Sequence, residues 1–180
     1  MKRYNLKRLT ITVMLSALGI LIPLIMPKIV IGPASYTLGS HVPIIIAMFL
    51  GWDIALMVGL SGGLGFFLAL GPIVSARAFS HLLWAIPGAF IIQLFKNSFR
   101  KWHFRFIFNI IISFFHALFE CIVVLLFYTE KLSDQNFLVT TILLSIGVGG
   151  FIHSMVDYEI SSFVYGRLKD QIPNLLSRSV

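Results

Sequence analysis

Arg77 and His81 stand four residues apart in an apolar run that begins after Gly71-Pro72. On a helix that spacing puts both side chains on one face. The same spacing recurs as His116/Glu120 and as His153/Asp157, each again inside a long apolar stretch. An arginine near the centre of a membrane span costs about 2.5–3.5 kcal/mol on insertion scales, so a charged residue held there marks a functional site by default. A guanidinium presents a planar fork of donors that fits a carboxylate. Two partners are open to Arg77: Glu120, which makes the pair structural, or the carboxylate of a ligand. Both hold in turn if Glu120 neutralises Arg77 until a ligand arrives. Phe79, Trp84 (one turn beyond His81) and Tyr36 (in a loop ahead of them) supply flat faces for an aromatic ring; Tyr36 and His41 are the polar candidates of that loop. His116 completes the candidate set. Three histidines on three helices follow no fixed metal-binding spacing, so neither metal nor cofactor is expected. The His153/Asp157 pair reads as a structural link at the cytoplasmic end of the bundle.

The elements that must position these residues are membrane helices. Of 180 residues 58% are hydrophobic and 12% charged, against about 25% charged in a soluble domain, and mean hydropathy is +0.93. The chain is expected to be all-α, one six-helix membrane domain over residues 1–180. The expected spans are 6–26, 40–52, 54–70, 75–95, 104–128 and 137–165, with a long external loop at 27–41. Asp53 is a candidate N-cap for the third helix, Pro87-Gly88 a candidate kink in the fourth. The glycines of Gly59-Leu60-Ser61-Gly62-Gly63-Leu64-Gly65 read as close helix packing. The lone Cys121 excludes an intramolecular disulfide.

The net charge of +7 points to topology rather than to nucleic acid. Eleven of the fourteen Lys and Arg lie in three clusters: Lys2, Arg3, Lys7 and Arg8; Lys96, Arg100, Lys101 and Arg105; Arg167, Lys169 and Arg178. With both termini and the 96–105 loop in the cytoplasm, all three clusters obey the positive-inside rule.

The run Gly39-Ser40-His41-Val42-Pro43-Ile44-Ile45-Ile46-Ala47-Met48-Phe49-Leu50, with Gly65-Phe66-Phe67, Gly71-Pro72-Ile73-Val74, Arg77-Ala78 and Ser80-His81, resembles the substrate-binding (S) components of energy-coupling factor vitamin transporters, most of all members for niacin and related small B vitamins. The resemblance spans nearly the whole chain. It implies a multi-pass cell-membrane binder without catalysis or cofactor. Such a binder takes a small-molecule vitamin from outside and works with a membrane transducer subunit and two ATPase subunits. No G-x-x-x-x-G-K-[ST] phosphate loop is present, so ATP chemistry falls to those partners. The family's small-xxx-small docking motif on the first helix maps to Val13 and Ala17. Only the second position matches; Thr12 and Ser16 substitute, and Thr12, Ser16 and Ala17 form the candidate partner-docking face. Within the family, Arg77 and His81 favour a compact aromatic carboxylate, niacin first and a pyridoxine- or pyrimidine-like ligand second. The alternative from another class is an intramembrane serine protease of rhomboid type, with Ser61 of Gly59-Leu60-Ser61-Gly62 as nucleophile and His153 as base.

Overall fold

The computed structural model describes residues 6–171. Lys2, Arg3 and Arg178 of the basic clusters lie outside the described residues. The order is α1 (Leu6–Ile25), β1 (Lys28–Ile31), β2 (Ala34–Thr37), α2 (Val42–Leu50), α3 (Trp52–Leu70), α4 (Pro72–Ser80), α5 (Leu82–Leu94), α6 (Trp102–Phe127), a π-helical segment (Phe137–Gly149) and α7 (Gly150–Gln171). The fold is an all-α membrane bundle: five stretches, 6–25, 52–70, 72–94, 102–127 and 137–168, are long and apolar enough to cross a membrane. Their outward faces carry apolar side chains such as Leu64, Leu68, Phe114, Leu143 and Phe163, as a hydrocarbon solvent requires.

The sixth helix, α2, departs from the expected span of residues 40–52. Its nine residues reach only about 14 Å at 1.5 Å per residue, about half of a hydrocarbon core. Seven of the nine are buried. Ile44, Ile45, Met48 and Leu50 join Ile54, Val58, Trp84 and Ile112 in the main core, so α2 is the centre around which the longer helices close.

Three further expectations need correction. Asp53 does not cap α3. Gly51 occupies the cap position without a side-chain bond, and Asp53 instead takes the Arg8 guanidinium at 2.6 Å, tying α1 to α3. The fourth helix is interrupted at His81, between α4 and α5, and Pro87 lies inside α5. In a regular helix the His81 amide would take the Arg77 carbonyl. Here the Ser80 hydroxyl donates to that carbonyl at 2.6 Å and the His81 amide turns to Ala78 at 3.2 Å, the known competition of serine with helix bonding. The 27–41 loop contains an antiparallel hairpin, β1 with β2, in which Ile31 pairs Ala34 across Gly32-Pro33. Gly32 has φ +55°, a value glycine takes without strain.

The glycine run of α3 packs as expected. A Cβ on Gly65 would lie 2.9 Å from the Gly19 carbonyl oxygen of α1, and one on Gly62 3.9 Å from it. α1 turns Thr12, Leu15, Gly19 and Pro23 inward and leaves Val13, Met14, Leu18 and Leu21 exposed.

Candidate functional site

Four elements deliver the ionisable residues to one place. The end of α4 and its break present Arg77 and His81, α6 presents His116 and Glu120, α7 presents His153 and Asp157, and the residue before α2 is His41. All but His153 are buried. All of these residues but Asp157, with Tyr36 and Ser35 of β2, Ser40 and Phe66, line a cavity of ≈10 Å³, room for about one water molecule. A ring-sized ligand therefore requires these side chains to part.

Glu120 is the hub. Its Oε2 accepts from Arg77 Nη2 at 2.7 Å, while its Oε1 lies 3.1 Å from His81 Nε2 and 3.4 Å from His116 Nε2. The other Arg77 terminus, Nη1, donates to the Pro33 carbonyl in the hairpin turn. Arg77 thus holds the hairpin and Glu120 with one guanidinium, and its Nε, buried, has no partner among the described residues. His116 Nε2 faces His41 Nε2 at 3.0 Å.

Asp157 is the second hub. It accepts from the amides of Gly39 at 3.2 Å and His41 at 3.1 Å, and from His41 Nδ1 at 2.9 Å. His153 Nε2 lies 3.5 Å from the same carboxylate and 3.3 Å from Ser40 Oγ. This corrects the expectation of a His153/Asp157 link apart from the site: both residues belong to it. Their spacing repeats that of His116/Glu120, and that repetition was the available signal.

Tyr36 reaches the π-helical segment, donating to the Ser145 carbonyl at 2.5 Å, with its ring edge-on to His153. Burial, which outweighs the opposing field of Arg77, raises its phenol above the ordinary value, so it remains a neutral donor. A π-helix is rare and usually one turn long, often at functional sites; here it runs 13 residues where a regular helix is expected. A Cβ on Gly149 would collide with the Tyr36 hydroxyl, so glycine at the end of that segment admits the ring.

Of the expected site residues, Arg77, His81, Tyr36, His41, Glu120 and His116 converge. Trp84 does not line the cavity; at 2% exposure it packs behind His81 and His116, with ring centroids 5.7 and 5.9 Å away. Phe66 takes the place expected for Trp84 on the cavity wall. The protease pair is not assembled: Ser61 donates to the Met57 carbonyl of its own helix at 2.8 Å, and His153 is engaged by Ser40 and Asp157. Of the docking residues, Ala17 is exposed and Ser16 half-buried. Thr12 is buried and donates to the Arg8 carbonyl at 2.9 Å, so the expected face is divided by the inward turn of α1.

No family model matches the chain, and no solved structure matches it. Among curated proteins it is similar to the niacin transporter NiaX of Lactococcus lactis subsp. cremoris (strain MG1363). The two are 38% identical over 164 residues, which cover 89% of this chain and 73% of that protein.

Proposed function

We propose, for a chain that belongs to the family of the niacin transporter NiaX, the substrate-binding (S) components of energy-coupling factor transporters, that it binds niacin as the nicotinate anion between Arg77 and the hairpin. It is a transport subunit, not an enzyme. The observation that carries the reading is the buried Arg77, whose guanidinium is divided between the exchangeable carboxylate of Glu120 and the hairpin turn, with Nε still unbonded. A ligand carboxylate takes the place of Glu120 Oε2 on Arg77. Glu120 is not stranded by this exchange, because its Oε1 already faces His81 and His116. The ring then lies between Tyr36 and Phe66, and His81 is the second donor. Entry requires the hairpin to release Pro33 from Arg77 and Tyr36 from Ser145, and closure restores both.

The reading is tested by calorimetric titration of the purified protein with nicotinate, nicotinamide and pyridoxine. Nicotinate is expected to bind most tightly, because only it supplies a carboxylate for Arg77. Equal affinity for acid and amide, or preference for pyridoxine, overturns the assignment.

Delivery inward is assigned to docking with a transducer subunit and two ATPases. Ala17 offers a small exposed side chain beside Val13 on the outer face of α1, and small residues allow close helix approach. Ala17→Trp is expected to abolish uptake by cells while leaving nicotinate affinity of the isolated protein unchanged. A parallel loss of affinity would make this face part of internal packing.

Both termini and the 96–105 loop are assigned to the cytoplasm by the basic clusters. A cysteine at position 131 is expected to react with an impermeant thiol reagent on intact cells and one at position 101 is not; the opposite pattern inverts the topology.

A further inference from the structure

We propose that His41, His81, His116 and Glu120 form a buried site for one divalent transition cation, zinc first. The proposal goes beyond the vitamin reading and does not rest on it. Each of the four residues offers one ligand atom, and these atoms all lie within 4.8 Å of one another. Three separations are closer: 3.0 Å between His116 Nε2 and His41 Nε2, 3.1 Å between His81 Nε2 and Glu120 Oε1, and 3.4 Å between His116 Nε2 and Glu120 Oε1. A tetrahedral zinc centre with bonds of about 2.0–2.1 Å sets its ligand atoms about 3.3 Å apart. Those pairs already have the edge length of a coordination tetrahedron. Side chains that meet only through hydrogen bonds need not gather three imidazole nitrogens and one oxygen in this way.

The surroundings orient two of the four ligands, His41 and Glu120, as metal sites do, whereas Nδ1 of His116 is buried without a partner among the described residues. An ionised carboxylate only accepts, so Asp157 fixes the proton of His41 on Nδ1, at 2.9 Å, and leaves the lone pair of Nε2 directed at the cluster. A carboxylate behind a ligating imidazole is the usual second layer of such a site. Arg77 does the same for Glu120, holding Oε2 at 2.7 Å and leaving Oε1 for the cluster. Charge points the same way. These buried groups include one guanidinium, Arg77, and two carboxylates, Glu120 and Asp157, so with neutral imidazoles one negative charge remains uncompensated. A divalent cation offsets it. Three imidazoles and one carboxylate suit zinc and its neighbours in the first transition row rather than magnesium or calcium, which take oxygen.

The test uses the full-length, tag-free protein in detergent, stripped with a chelator and then given zinc alone or cobalt(II) alone. The expected result is one zinc per chain by elemental analysis, and for cobalt the intense visible band of a four-coordinate ion. His81→Gln and His116→Gln are each expected to weaken cobalt binding about a hundredfold or more, at least the upper range seen for second-layer partners. His103→Gln, at an exposed position beside Trp102, leaves binding unchanged. His81→Cys guards against a folding artefact: it keeps a ligand and is expected to add a thiolate-to-cobalt absorption. Sub-stoichiometric metal, a six-coordinate cobalt spectrum, or uptake that survives loss of both His81 and His116 overturns the proposal.

Discussion

Arg77→Ala is expected to weaken nicotinate binding several hundredfold while hardly changing the affinity for nicotinamide. Removing one partner of a buried charge pair costs about 3–5 kcal/mol, and each 1.4 kcal/mol is about tenfold in affinity. Arg77 is 3% exposed, so solvent does not replace what the ligand carboxylate loses. The amide was never held by charge and keeps its ring contacts. Arg77 also supports the unliganded protein, through Glu120 and the Pro33 carbonyl, and Glu120→Gln separates the two duties. Where Arg77 serves the ligand, Arg77→Ala loses the acid selectively, and adding Glu120→Gln restores stability without restoring affinity. A structural role gives the other pattern. Acid and amide then fall together, the Arg77→Ala protein melts lower, and Glu120→Gln rescues both. That second pattern would end the carboxylate assignment.

The membrane class, the long helices and the convergence of Arg77, His81, His116 and Glu120 were legible because apolar length and i,i+4 spacing are local signals. The break at Gly71-Pro72 was legible too: Gly71 takes φ +83° and Pro72 opens α4. What escaped depends on partners distant in sequence. The helix break at His81 follows from which donor wins the Arg77 carbonyl, a competition between Ser80 and a backbone amide that hydropathy does not see. Asp53 reads as an N-cap from the sequence, yet α3 begins one residue before it with Gly51 at the cap, and Arg8, 45 residues away, claims its carboxylate. Trp84 lies one turn from His81, and whether it lines the cavity or packs in the core with α2 is not set by spacing. The hairpin was legible in principle, since Lys28-Ile29-Val30-Ile31 and Ala34-Ser35-Tyr36-Thr37 flank Gly32-Pro33 as two short strands flank a turn. Its apolar character masked it as loop packing. Beyond the His116/Glu120 spacing on α6, the proposed metal site had no sequence signature, because His41 and His81 come from two other places in the chain at no fixed interval.

Asp157→Ala is expected to be the most damaging single change to the empty protein. The carboxylate is 0% exposed and accepts from the Gly39 amide, the His41 amide and His41 Nδ1. Hydrogen bonds to charged groups contribute about 1.5–3 kcal/mol each. They are not additive, but losing three acceptor contacts and stranding the buried His41 amide and the half-buried Gly39 amide should cost more than about 3 kcal/mol. The consequence reaches the site through His41. Without Asp157 the Gly39–His41 turn loses its anchor, and the imidazole is free to change tautomer and leave His116. The expected result is a large fall in the melting temperature in detergent together with weaker ligand binding. Asp157→Asn should be milder in stability, since its carbonyl still accepts one amide, but its NH₂ group then opposes a second donor. A double-mutant cycle with His41→Leu isolates the side-chain pair: groups in direct contact couple by about 0.5–3 kcal/mol, and a coupling in that range is expected here. An Asp157→Ala protein that melts and binds like the unaltered chain would show that the residues around His41 hold their positions without this carboxylate.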